Sequence, residues 1–442
     1  WTEQDPEDWW NETIEGIKEL TKDIDKSQVK ALSFGGQMHG LVILDENDNV
    51  IRPAILWNDT RTQKETDYLN DVTGKKRLVD LTGNIAFAGF TAPKIMWVRD
   101  NEPENFSRIS KIMLPKDYIA YRLTGNHCTD VSDASGMLLL DVEHRCWSEE
   151  MLEITGIKKG QLPKLYESYD VVGSIKKDIA DDLGFGDVKV AAGAGDNAAS
   201  AIGTGTVKNG DCNISLGTSG TVFVASDRYK ADYENAIHNF CHSNGKYHYM
   251  ACMLSAASCN KWWLENIIGT DDYENEYKNY SRSGENNVFF LPYLMGERSP
   301  LNDSEIRGMF YGMSMSTTRQ DMSVAILEGV AFALRQNIDI IKSMGIDIKK
   351  SRICGGGTKN RLWLEIIANV LNIELEVPEN QEGASYGAAL LAVRGCSEEE
   401  YNRFLSEMKI TAVIKPDINI VKKYEEKYRQ FLKFYPAVKN IL

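Results

Sequence analysis

From residue 188 onward the sequence alternates short β-type runs with long amphipathic segments, and a chain patterned this way folds as an α/β sheet flanked by helices. The β-type runs are VKVAAG (188–193), DCNISLGTSGTVFVAS (211–226), NVFFLPYL (287–294), RGMFYGM (307–313), SRICGGG (351–357) and IELEVPE (373–379). Between and after them, 319–345, 360–372 and 384–395 carry apolar residues at helical spacing. The first half is α/β as well. Asp5, Pro6 and Asp8 start a helix whose apolar positions, Trp9, Trp10, Thr13, Ile14, Ile17, Leu20 and Ile24, run to Lys26. A strand VKALSFGG (29–36) and a hairpin, GLVIL and NVIRPAILW around a turn at Asp45 to Asp48, come next. Residues 60–180 read as mainly helical. A chain of 442 residues is long enough for more than one core, and the expected division is 1–190 and 191–442.

The 50 basic and 64 acidic residues leave a net charge of −14 without long runs of either sign, which argues against nucleic acid or an anionic membrane as the main partner. No stretch reaches the ~20 apolar residues of a membrane span. Eight scattered cysteines without a CxxC pair read as reduced thiols, and the expected location is the cytoplasm. CHSNGKYHYMAC (241–252) holds four possible zinc ligands, Cys241, His242, His248 and Cys252. Ser243 to Lys246 look like a hairpin turn, and neighbours on a strand point to opposite faces, so the hairpin is expected and no metal site is assigned.

Asp196 stands alone as an acid in VKVAAGAGDNAASAIGTG (188–205). It follows a strand and precedes a helix, so it is either a helix cap or a catalytic base at the C-terminal end of a strand, where open α/β sheets bind ligands. GGQMHG (35–40) places Gln37 and His39 at another strand end, facing Asp196 in this reading. Two glycine turns could hold phosphate or a flat ring: SLGTSG (215–220) and CGGGTKNRLW (354–363). Neither is a GxGxxG or a Walker pattern. A third glycine-bearing stretch, EGASYGAALLA (382–392), reads as close helix packing.

GFTAPKIMWVRDN (89–101) and GMFYGMSMSTTRQDMSVAILE (308–328) resemble, in order and spacing, the two characteristic stretches of the FGGY family of carbohydrate kinases. GGQMHG, RPAILWNDTRT, LPKDYIAYRLTG, GDNAA, MLSAASC and FLPYLMGERSP are most similar to the members that act on D-xylulose. The resemblance implies an actin-like ATPase (ribonuclease H-like) fold of two α/β domains with a catalytic cleft between them. It implies ATP with Mg²⁺, and transfer of the γ-phosphoryl to the 5-hydroxyl of D-xylulose. Carried over by position, Asp196 is the base; Met38, His39 and Asn197 contact the sugar; Gly217 and Thr218 meet phosphates; and Gly356, Gly357 and Asn360 line the adenosine pocket. Asp59 and Arg61 are expected at the edge of the sugar site, and a homodimer is a family expectation. Family members open with a β-hairpin carrying an Asp-x-Gly-Thr loop, which the residues from Trp1 do not match, so an incomplete N-terminus is expected. The rivals are the same chemistry on ribulose, fuculose, gluconate or glycerol, and a non-catalytic actin-like nucleotide-binding protein.

Overall fold

The computed structural model describes residues 1–442 apart from 235, 236, 279, 381, 440 and 442. The opening helix is Pro6–Leu20, with Asp5 as its cap: the Asp5 carboxylate accepts the Glu7 amide at 3.0 Å, and Pro6 occupies the first turn, where no donor is needed. The expected strand at 29–36 divides into Ala31–Leu32 and Gly35–Gly36. It bends at Phe34, whose carbonyl accepts the Ala194 amide at 2.9 Å. Each piece pairs in parallel with part of the 188–195 run, Ala31–Leu32 with Lys189–Ala191 and Gly35–Gly36 with Ala194–Gly195. That register sets QMHG beside GDNAA. The hairpin at 40–57 is present, Val42–Leu44 and Ala54–Ile55 joined by antiparallel bridges Leu41 to Ile55 and Leu44 to Val50.

The middle of the chain holds the expected helices Thr91–Asn101, Pro115–Thr124 and Glu149–Thr155. It also holds strands absent from the sequence reading: Lys111–Met113, Cys128–Asp130, Lys164–Tyr166 and Val171–Ser174. At three or four residues each they are too short to print a period-two pattern.

In the second half one seven-stranded sheet dominates. Its order across is His238–Cys241, Tyr247–Met253, Gly220–Ser226, Cys212–Leu216, Lys350–Cys354, Glu374–Pro378 and Ile410–Ile414. Three antiparallel pairs on one side give way to parallel pairing of Cys212–Leu216, Lys350–Cys354 and Glu374–Pro378, the ribonuclease H-like arrangement that the resemblance implies. The helix Arg319–Ser343, started by a reciprocal Thr318 and Asp321 capping box, buries most of its length against this sheet.

Two contacts join parts of the chain that are distant in sequence. The helix Asp196–Gly203 packs on the helix Gly383–Cys396 at backbone contact: a Cβ at Gly387 would lie 1.7 Å from the Ala199 carbonyl oxygen, and one at Gly203 2.0 Å from that of Gly383. The small residues of EGASYGAALLA are therefore packing residues. The hairpin turning at Gly245 reaches across, where Asn239 exchanges hydrogen bonds of 2.9 and 3.0 Å with Asn84. Phe223, Phe240 and Met250 complete the first half's core. His248 stacks on Phe223 at 4.0 Å, and His242 bonds the Thr206 carbonyl at 2.8 Å through Nε2. The 241–252 stretch is thus a packed hairpin.

Candidate active site

Asp196 is the first residue of its helix; the cap position belongs to Gly195. Its Oδ1 accepts both the amide and the side-chain Nδ2 of Asn197, at 2.7 and 2.9 Å. Asp196 and Asn197 thus form one unit, and the carboxylate keeps its other oxygen free of these bonds. Solvent reaches the side chain, but protein surrounds it on most sides. That burial raises its pKa above the ordinary 3.8, against the lowering effect of the Asn197 bonds. A carboxylate open to a cleft and made more basic by its surroundings is suited to taking a proton.

Met38 lies beside it, and His39 follows Met38 in the chain. A Cβ at Gly195 would come within 2.9 Å of Met38 Cγ, so Met38 packs against the residue preceding the acid. His39 has a left-handed backbone, φ 69°, an unfavourable conformation for a side chain of its size that the surroundings must hold. Its carbonyl accepts Lys94 Nζ at 2.8 Å and Thr91 Oγ1 at 3.1 Å, and Lys94 is tied also to the Gly89 carbonyl at 2.7 Å. Lys94 is fully buried, and burial pulls its pKa down to about 7. The His39 ring packs on Phe90 at 4.7 Å, and its Nδ1 meets the Gly136 carbonyl at 2.8 Å. A carbonyl only accepts, so Nδ1 carries the hydrogen and Nε2 is left as an acceptor. Burial first, and the nearby Lys94 charge second, drop the His39 pKa to about 3, so the ring is neutral throughout the physiological range.

Gln37 turns away, donating to Gln4 Oε1 at 3.1 Å, so the partner of His39 next to Asp196 is Met38. Asp59 and Arg61 are engaged with each other, Nε to Oδ1 at 2.8 Å and Nη2 to Oδ2 at 2.7 Å. Asp59 also accepts the Thr2 amide, and the Arg61 guanidinium lies over the Trp1 and Trp97 rings, 4.1 and 5.0 Å from their centroids. Both act on Lys94 electrostatically, behind His39. Beneath the site Lys116 Nζ is held by Asp117 at 2.6 Å and Asp130 at 2.9 Å, with Asp133 at 3.7 Å. Three buried carboxyls face one ammonium, and burial raises the pKa of Asp133 against the lowering effect of the Lys116 charge. The Asp130 to Met137 segment this cluster anchors carries Gly136, which orients His39.

The opposite wall is built largely from backbone. Gly217 and Thr218 form the tight turn between Cys212–Leu216 and Gly220–Ser226. Their carbonyls point back to the Ala256 to Ser258 segment, accepting amides at 2.8 to 3.3 Å, while Thr218 and Ser219 stay exposed. The parallel pairing of Ser215 with Cys354 brings the second glycine turn alongside. Gly355, at φ 98°, lies so close to Leu216 that a Cβ would approach its carbonyl oxygen to 2.7 Å, whereas Gly356 faces open space and Gly357 packs on the Leu216 side chain. Asn360 caps the helix Arg361–Leu371, its Oδ1 accepting the Trp363 amide at 3.1 Å, and its buried Nδ2 has no hydrogen-bond partner among the described residues. A cavity of about 650 Å³ opens beside the second glycine turn, lined by Ser33, Gly35, Ser200, Ser215, Gly355 and Ser385 among others. The structure thus brings Asp196, Asn197 and Met38 together, with His39 next to Met38 in the chain, and sets the turn of Gly217 and Thr218 alongside that of Gly356 and Gly357, which leads into Asn360. The sequence reading assigned no role to the clamp of Thr91 and Lys94 on His39, nor to Gly136; the GFTAPK motif was the available signal.

Residues 1–203 match the N-terminal domain of the FGGY family of carbohydrate kinases, and residues 212–396 its C-terminal domain. The xylulose kinase of Escherichia coli (strain K12) is 37% identical over 440 residues, 98% of this chain and 90% of that protein. Among solved structures, one described as a xyloylose kinase from Brucella ovis superposes with a TM-score of 0.95 at 39% identity, covering 100% of this chain and 92% of its own. The glycerol kinase of Plasmodium falciparum with ADP superposes at 0.88 with 25% identity, over 98% of this chain and 90% of its own. These likenesses establish the two-domain actin-like ATPase architecture and sugar-kinase activity. The chain belongs to the FGGY family of carbohydrate kinases.

Proposed function

We propose that the protein phosphorylates D-xylulose at its 5-hydroxyl with ATP, yielding D-xylulose 5-phosphate. The observation that carries this reading is a raised-pKa carboxylate, Asp196, whose preceding residue Gly195 packs on Met38, with the neutral His39, its Nε2 left as an acceptor, next to Met38 in the chain. The relatives named xylulose kinase supply the substrate. In this reading His39 Nε2 accepts a sugar hydroxyl, Met38 packs on the carbon chain, and Asn197 holds Asp196 in place. Asp196 takes the proton from the 5-hydroxyl as its oxygen attacks the γ-phosphorus in line, and the bond to the ADP oxygen breaks.

The residues present fit a nucleotide. The exposed Gly217 to Ser219 turn suits phosphate oxygens, and the Asn360 Nδ2 is a buried donor in need of an acceptor. They also fit Mg²⁺ carried on that nucleotide. Among the described residues no group of three or more His, Cys, Asp or Glu side chains is placed to hold a metal ion by itself, and Mg²⁺ in kinase sites is held by phosphates and water with one or two carboxylates. Asp196 is the carboxylate available for that, and the ion would neutralise charge on the phosphoryl oxygens. The test is one coupled kinase assay on D-xylulose, D-ribulose, L-fuculose, D-gluconate and glycerol. D-Xylulose should give the highest kcat/KM, and ATP turnover indifferent to every sugar would overturn the reading.

A further inference from the structure

Arg298 lies within the GERSP stretch that the reading above leaves without a role. Its loop is fixed to the end of the strand Tyr247–Met253: the Ser299 amide bonds the Cys252 carbonyl at 2.9 Å, and Glu297 Oε1 accepts the amides of Leu254 and Arg298 at 3.0 and 2.8 Å. From there the side chain crosses to the first half of the molecule. Its guanidinium sits 5.5 Å from the centre of the Phe87 ring, Phe87 packs on Phe90 at 5.3 Å, and Phe90 packs on His39. A single row of rings thus joins Arg298 to the sugar-contacting histidine.

The guanidinium is half-buried and, among the described residues, makes no hydrogen bond or ion pair. Its sequence neighbour does not neutralise it: burial drives the Glu297 pKa from 4.5 to about 8, so that carboxyl is mostly protonated at neutral pH. His39 and His238, which also face the guanidinium, are both held neutral by burial. An arginine stays charged, and its N–H groups are costly to leave unmet in a partly closed site. When a ligand displaces water from this guanidinium, it must supply the acceptor itself. His39 offers an acceptor and Arg298 offers only donors. A ketose presents the complementary pair, a hydroxyl that donates and a carbonyl oxygen that only accepts; a polyol has no carbonyl.

We propose that Arg298 is a specificity residue that donates to the ketone oxygen of the acceptor sugar, while His39 accepts from a hydroxyl. This rests on the ketose-kinase reading above. The experiment measures KM for D-xylulose, inhibition constants for xylitol and D-xylulose 5-phosphate, and KM for ATP in the wild type, Arg298→Met and Arg298→Lys. Arg298→Met should raise KM for D-xylulose about 10-fold or more and change xylitol inhibition less than threefold, with KM for ATP unchanged. Arg298→Lys, which keeps a charged donor, should recover part of the loss. Equal weakening of ketose and polyol, or weakening confined to the sugar phosphate, would overturn the proposal and leave the ketose-kinase reading standing. A wild type that does not turn over D-xylulose would overturn both.

Discussion

The two walls of the cleft are made of different material. On the Asp196 side every functional group is a side chain fixed by several others: His39 alone is held through its ring, its carbonyl and its neighbour by Gly136, Lys94, Thr91 and Phe90. On the glycine side the groups offered to a ligand are mostly main-chain amides, with one side chain, Asn360, whose Oδ1 caps a helix while its buried Nδ2 has no partner among the described residues. In the proposed reading the contrast follows from what each wall would recognise. A sugar differs from its isomers in the direction of single hydroxyls, which only positioned side chains can read. Phosphates are alike in every nucleotide, and amides at a tight turn suffice to hold them.

The side-chain wall should break the more sharply. Asp196→Asn keeps a carbonyl oxygen for the Asn197 amide but removes the proton acceptor, so kcat should fall by about 10²- to 10⁴-fold with thermal stability nearly intact. Near-normal kcat would return Asp196 to a structural role. His39→Ala comes next: KM for the sugar should rise about 10-fold, the scale of one hydrogen bond, with KM for ATP unchanged. Because the ring is neutral down to a pKa of about 3, it should itself contribute no inflection near pH 6.5 to wild-type KM for the sugar, and one centred near pH 7 would belong to Lys94.

The two walls also differ in how much of them the sequence disclosed. Glycines at 217 and at 355 to 357 are visible in one dimension, since a tight turn needs them, and the resemblance added their partner Asn360. Asp196 and His39 were visible because they interrupt apolar or small-residue runs. The groups that hold His39 were not. Lys94, Thr91 and Gly136 act through carbonyl contacts between residues 52 to 97 positions apart, and no local pattern encodes such a pairing. The fold divides in the same way. The long helix 319–343 and the five-residue strands 212–216 and 350–354 announced themselves. The short strands of residues 111–174 exist only because tertiary neighbours pair with them.

The backbone-built wall should respond more mildly. Asn360→Ser keeps an oxygen able to cap Arg361–Leu371 and removes the free Nδ2. KM for ATP should rise about 3- to 10-fold, while KM for the sugar and the Tm stay within error. A fall in Tm with unchanged KM would make Asn360 a cap alone, and the wall would then rest on backbone entirely.

The smallest effect concerns the loop that joins the two walls. Glu297 is buried, and its pKa is raised from 4.5 to about 8 by that burial. Between those values the folded protein holds a proton that the unfolded chain has released, so this group makes the fold less stable as pH rises from 4.5 to 8, by up to about 1.4 kcal/mol per pH unit. Glu297→Gln keeps Oε1 for the Leu254 and Arg298 amides and carries no titrating proton. Its Tm relative to the wild type should therefore climb between pH 5 and pH 8, by about 1–2 °C per unit for a chain of this length. A difference that stays flat with pH would mean that the wild-type carboxyl is already ionised, and Arg298 would then have a counter-ion of its own.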